Sequence, residues 1–110
     1  CGRTPEEARS AGCIFDVMMD EWLPLSCYDR DLTEEFRSIK DWPFYSDANQ
    51  TQRLTEEELS QRPVAHTTLE YHVAHCSFAL RKLHRAIAQG RQIETNVAAE
   101  AHTTHCAEFL

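Results

Sequence analysis

Long apolar runs are missing from this chain of 110 residues, and so is any excess of basic charge. No stretch approaches the roughly 20 apolar residues that a membrane-spanning helix requires. Eleven Lys and Arg stand against 18 Asp and Glu, for a formal net charge of -7. The one basic cluster, Arg81, Lys82, Arg85 and Arg91, reads as the solvated side and C-terminal end of a helix. Nucleic acid needs a concentrated basic face, so it is set aside as a partner. Also absent are a nucleophile elbow, a phosphate loop and a paired-carboxylate glycosidase pattern. Ser26 and Ser77 have no recognisable activating constellation. An initiator Met and a signal peptide are lacking too. The chain opens on Cys1, which suggests a trimmed or processed luminal domain with any membrane anchor upstream of it.

What is present is ordinary in bulk: 42% apolar and 26% charged residues. That balance fits one globular domain over residues 1–110, near the lower end of comfortable size. Five cysteines are more than a cytosolic domain carries without a metal or redox reason. Asn49-Gln50-Thr51 is an acceptor sequon for N-glycosylation in a polar stretch. Together they point to the secretory pathway, luminal or extracellular. Two bridges among Cys1, Cys13, Cys27, Cys76 and Cys106 would leave one thiol over, in about fifteen arrangements.

Along the chain, Thr4-Pro5-Glu6-Glu7 is a helix start with a capping box, and Gly12 is placed to stop that helix. From Cys13 to Cys27 the apolar residues follow no period, so the segment reads as irregular chain pressed over the core. Asp29 to Lys40 forms a second helix with Leu32, Phe36 and Ile39 on one face. Asp41 to Tyr45 is an aromatic turn, because Pro43 forbids continuing the helix. Thr55 caps a short third helix that ends before Pro63. A long helix begins near Thr67 or Thr68 and ends at Gly90. Its seam of Leu69, Val73, Cys76, Leu80, Leu83 and Ile87 alternates four and three apart and is expected to face the core. A last helix runs from Asn96 or Val97 to Leu110, and the short connector makes the two an antiparallel hairpin. The fold class is therefore mostly α: a small disulfide-stapled domain built on that C-terminal hairpin, with irregular N-terminal segments packed over it.

The chemistry lies in a phrase that occurs twice, His72-Val73-Ala74-His75-Cys76 and His102-Thr103-Thr104-His105-Cys106. Four of the six histidines sit there. At about 100° per residue, the two imidazoles and the sulfur of each phrase share one face of one turn. Imidazoles three apart on a helix can chelate one ion without backbone strain, and neutral imidazole suits zinc, copper, iron or nickel. If Cys76 and Cys106 are thiolates, the set is Cys2His2 and zinc in a closed site follows. If each is bridged to the N-terminal segment, as the secretory context favours, the imidazoles stay free and copper suits them better. A direct Cys76–Cys106 bridge is the competing arrangement. His84 stands about 18 Å further along the axis than His72 and cannot join; His66 and His84 read as surface histidines. Tyr28, Tyr45, Tyr71, Trp22, Trp42 and Phe44 read as core, with a substrate pocket as the alternative. Asp16, Asp20 and Glu21 have no evident partner.

The doubled phrase resembles the hallmark of the fungal UstYa-like proteins, found in biosynthetic clusters for cyclic ribosomal peptides and other secondary metabolites. Gly12-Cys13-Ile14-Phe15-Asp16 and Cys27-Tyr28-Asp29 are similar to phrases of a short subgroup of that family. Ser77 and Ala107 depart from it, since Leu follows the motif Cys in many members. The resemblance implies a luminal domain behind one N-terminal span, and His72, His75, His102 and His105 as metal ligands. It also implies copper-dependent oxidative cyclisation, hydroxylation or halogenation of a peptide or small molecule. A non-redox cyclase using the same pocket, or a zinc-stabilised secreted interaction domain without activity, are the alternatives.

Overall fold

A computed structural model describes residues 1–110 as six helices and five short strands. Thr4 caps α1 (Pro5–Ser10) by accepting from the Glu7 amide. The Glu7 carboxylate reaches the Arg3 amide at 2.7 Å, so the reciprocal bond of the capping box falls one residue early. Gly12, at φ 80°, ends the helix. Cys13 N–H bonds Ala8 O and Gly12 N–H bonds Arg9 O, the paired bonds of a left-handed stop. A Cys1–Cys13 disulfide pins this corner.

The Cys13 to Cys27 segment is not irregular. β1 (Ile14–Asp16) and β2 (Glu21–Leu23) form an antiparallel hairpin, and a single 3-10 turn (Leu25–Cys27) follows. Asp16 closes the hairpin, its Oδ1 accepting from the amides of Met18 at 2.8 Å and Met19 at 3.4 Å. The tip drives Val17, Met18 and Met19 into the core. An apolar loop inserted end-on has no period for a sequence to show.

Asp29 caps α2 (Arg30–Ile39), which buries Leu32, Thr33 and Phe36 but leaves Ile39 exposed. The aromatic turn leads into β3 (Phe44–Tyr45), the centre of a three-stranded sheet between β4 (Arg53–Leu54) and β5 (His66–Thr67). Asn49 is exposed in the turn before β4. A full capping box at Thr55 and Glu58 starts α3 (Glu56–Ser60). Trp42 stacks on Phe36 at 4.7 Å, and the edges of Tyr71 and Phe78 meet the same ring. Trp42, Phe44 and Tyr71 are thus core residues.

α4 (Leu69–Gln89) starts at Thr68 and stops at Gly90, where the sequence places both ends. Its buried face is another matter. Leu69 and Ile87 are 71% and 67% exposed, while Tyr71, Phe78, Ala79, Lys82 and Ala86 point inward. On an ideal helix that face lies about 130° round from the expected seam. Aromatic rings and the hairpin tip cover it, so Leu69, Val73 and Ile87 are left outside, while Cys76 of the same line is fully buried and Leu83 packs against the core. Lys82 is not part of a solvated side: it is 1% exposed and pairs with Glu94 and, at 3.5 Å, with Asp16. Arg85 and Arg91 both clamp the buried Asp29 carboxylate.

Glu21 borders this buried cluster. Burial, and then the charge of Glu94, pushes its carboxyl up to about 7 from an ordinary 4.5. The unfolded chain releases that proton near 4.5, so between these values the native state binds more protons and stability falls as pH rises. Glu21→Gln is expected to flatten that fall. At pH 8 it should gain about 1–2 kcal/mol, after a discount for the solvent that reaches this half-buried group. Denaturant unfolding at pH 5 and pH 8 checks it; an unchanged slope refutes it.

The last helix is two. α5 (Thr95–Ala98) buries Val97, and the chain turns at Ala99 (φ -73°, ψ 126°) into α6 (Glu100–Phe109). Ala98-Ala99-Glu100 gives no local reason to break. The bend lets Val97 reach the core while α6 lies along α4.

Candidate metal centre

α4 and α6 bring the two His-x-x-His-Cys phrases face to face. Each cysteine sits one residue beyond its second histidine, on the same turn, and the helices meet there. Cys76 and Cys106 are bonded to each other, both fully buried. Neither is bridged to the N-terminal segment: Cys1 takes Cys13, and Cys27 is left as a buried free thiol. The competing arrangement is the one formed, because helices that present four imidazoles to each other also bring together the cysteines beside them.

The four rings lie together above the disulfide. His72 and His105 have ring centres 5.3 Å apart, and their Nε2 atoms approach to 3.2 Å. His75 meets His102 edge-on at 5.6 Å and lies 6.3 Å from His72. His75 Nδ1–H donates to the Met18 carbonyl at 2.8 Å, which leaves its Nε2 with a free lone pair. The Tyr71 hydroxyl donates to the neighbouring Val17 carbonyl at 2.7 Å, with the Met18 carbonyl at 3.2 Å, and the Tyr71 and His75 rings stack at 5.8 Å. The hairpin tip therefore sets the orientation of this histidine, a partner that no helix spacing reveals. Phe109 packs on His72 at 3.9 Å.

Burial, then the neighbouring His105 and His102, lowers the pKa of His72. Burial also lowers that of His75, against the Met18 hydrogen bond and with help from His102. Both rings are neutral at neutral pH, the form that binds metal. The donor atoms of His72, Cys76 and His105 lie within 4.8 Å of one another, but the sulfur is committed to the disulfide, so the available set is imidazole alone. Two nitrogens about 2.0 Å from one ion at a tetrahedral angle stand about 3.3 Å apart, and the His72–His105 pair meets that spacing. The residues fit a metal.

The face is open. His105 is exposed, and His72 and His102 are partly so. A cleft of about 620 Å³ is lined around Trp22 and by none of the four histidines. His84 lies exposed elsewhere on α4 and His66 on β5, apart from the cluster.

The two disulfides indicate an oxidising compartment, and no helix is long and apolar enough to cross a membrane. No protein-family model matches the chain, and no solved structure does. Over 122 aligned residues covering all of this chain, it is 25% identical to phomopsin biosynthesis cluster proteins B and B' of Diaporthe leptostromiformis. It spans 36% of the length of those relatives. The chain is thus a distant relative, along its whole length, of proteins from a fungal biosynthetic cluster.

Proposed function

We propose that the four-histidine face binds copper and that the protein is an oxidase acting on a peptide or small molecule in fungal secondary metabolism. The observation that carries this is the pair of Nε2 atoms at 3.2 Å over a closed Cys76–Cys106 bridge. With the sulfurs withdrawn, nitrogen donors remain on a solvent-accessible face, and these suit copper in an oxidising compartment. The distant likeness to phomopsin cluster proteins supports a biosynthetic setting. Copper, when bound, would supply one-electron redox chemistry at this face.

The chain's own residues do the rest. His72, His75, His102 and His105 would hold the ion. Met18 keeps the His75 ring turned with Nε2 outward. One of His72 and His105 donates an Nε2–H to the other; for both Nε2 atoms to face an ion, that ring would carry its proton on Nδ1 instead. Phe109 against His72 and the exposed Leu69 and Val73 nearby on α4 give an apolar approach for a substrate.

Copper added to apo-protein is expected to give a Cu(II) electron-spin-resonance spectrum with nitrogen couplings, reduced in His102→Ala. His72→Ala and His105→Ala should each weaken binding by more than about 100-fold. Retention of full affinity in both variants rejects the site. Activity that survives complete copper removal would support the non-redox cyclase instead. A second reading rests on the proximity of Cys76 to His72 and His105: if the bridge is reduced, the set becomes Cys2His2 and takes zinc. Elemental analysis of protein purified without added metal, alongside a thiol count, separates the two.

A further inference from the structure

Of the four clustered histidines, His75 alone has its ring bonded to the backbone. Its Nδ1 meets the Met18 carbonyl at 2.8 Å, whereas His72, His102 and His105 have only the contact between His72 and His105. What holds that carbonyl therefore holds the ring. On its amide side the hairpin tip is fastened by Asp16, which accepts from Met18 and Met19. On its carbonyl side the fastener is the Tyr71 hydroxyl, 2.7 Å from Val17 O and 3.2 Å from Met18 O. Tyr71 lies one turn before His75 on α4, and the two rings stack with 22° between their planes. The phenol ring is itself fixed from the far side, edge to face, by Phe44 at 4.7 Å, Phe36 at 5.8 Å and Trp42 at 6.0 Å. It is 5% exposed.

We propose that Tyr71 is the positioning residue of the histidine face: by clamping the Val17 and Met18 carbonyls it locks His75 in its Nδ1–H tautomer, with Nε2 free as a donor. An unrestrained neutral imidazole favours the other form, which presents an N–H to an ion in place of a lone pair. Holding the second ring nitrogen to a carbonyl is what keeps a histidine in its ligating form. Without the hydroxyl, Val17 O loses that donor, and a buried carbonyl so deprived shifts to find another partner. The Met18 peptide moves with it, and His75 loses its fixed acceptor. The role toward an ion rests on the copper reading above; the effect on the ring needs no ion.

The test records long-range proton–nitrogen NMR spectra of the metal-free chain at pH 7.5, with His75 assigned by the loss of its signals in His75→Gln. The wild type is expected to show His75 as the Nδ1–H tautomer. Tyr71→Phe keeps the ring contacts and removes only the hydroxyl; it should lower the ratio of Nδ1–H to Nε2–H by about five-fold or more. Placing 4-aminophenylalanine at position 71 restores a donor and should restore the ratio. Cu(II) affinity, measured by chelator competition, should fall about 10- to 100-fold in Tyr71→Phe and recover with the amine. The Trp42 indole N–H, which donates to Phe36 O, reports separately on whether the aromatic core is intact. If Tyr71→Phe fails to fold, 4-fluorophenylalanine at the same position fills the space without a donor and makes the same test. The proposal is overturned if wild-type His75 is the Nε2–H tautomer, if the donorless variants keep the wild-type ratio, or if the ratio changes while copper affinity does not. A wild type that binds no copper rejects the metal reading alone, and the tautomer ratio still decides the role of Tyr71.

Discussion

Replacing both Cys76 and Cys106 by Ala is expected to lower the unfolding free energy by about 3–4 kcal/mol. The bridge closes a separation of 30 residues, and closing a loop of that length in the unfolded chain is worth about 3.6 kcal/mol. The loss should be concentrated in α6, which has no side-chain cap and buries only Cys106 fully. Hydrogen exchange should show α6 amides losing protection while those of α2 and α4 keep theirs. Because α6 carries His102 and His105, Cu(II) affinity should fall in the same variant. Undiminished protection of α6 would show that packing, not the bridge, holds the helix.

Lys82→Met is expected to cost about 3–5 kcal/mol at pH 7.5, since it strands Asp16 and Glu94 as buried carboxylates without their cation. The deficit should shrink at pH 5. Burial already raises the Asp16 pKa, and Lys82 is the largest influence opposing that rise. Without Lys82 the group should stay protonated to higher pH, and a carboxyl with a raised folded pKa loses stability as pH climbs from its unfolded value to that raised one. Urea unfolding at the two pH values measures this. Equal stability of variant and wild type at pH 7.5 would mean that the cluster does not depend on its lysine.

The histidine face was legible because its signal is local: equal spacing within two phrases, each on a helix, with a short connector between them. Helix ends at Thr4, Thr55, Thr68 and Gly90 were legible for the same reason, since caps are written in neighbouring residues. The buried side of α4 was not. Leu69, Val73 and Ile87 make a regular aliphatic line, and nothing local says that Tyr71 and Phe78 will find partners at Phe36 and Trp42. Lys82 was misread because one charge among Arg81, Arg85 and Arg91 shows no sign of its distant acids. The bend at Ala99 is set by where Val97 and α6 dock, against strong local helix formers.

Asp16 touches more of this molecule than its size suggests. One oxygen folds the tip that offers a carbonyl to His75; the other faces the lysine at the heart of the charged interior. The imidazole cluster and the buried Lys82 cluster thus share a single anchor in the first strand. An Asn there would disturb both together, even though it lies on neither helix of the histidine pair.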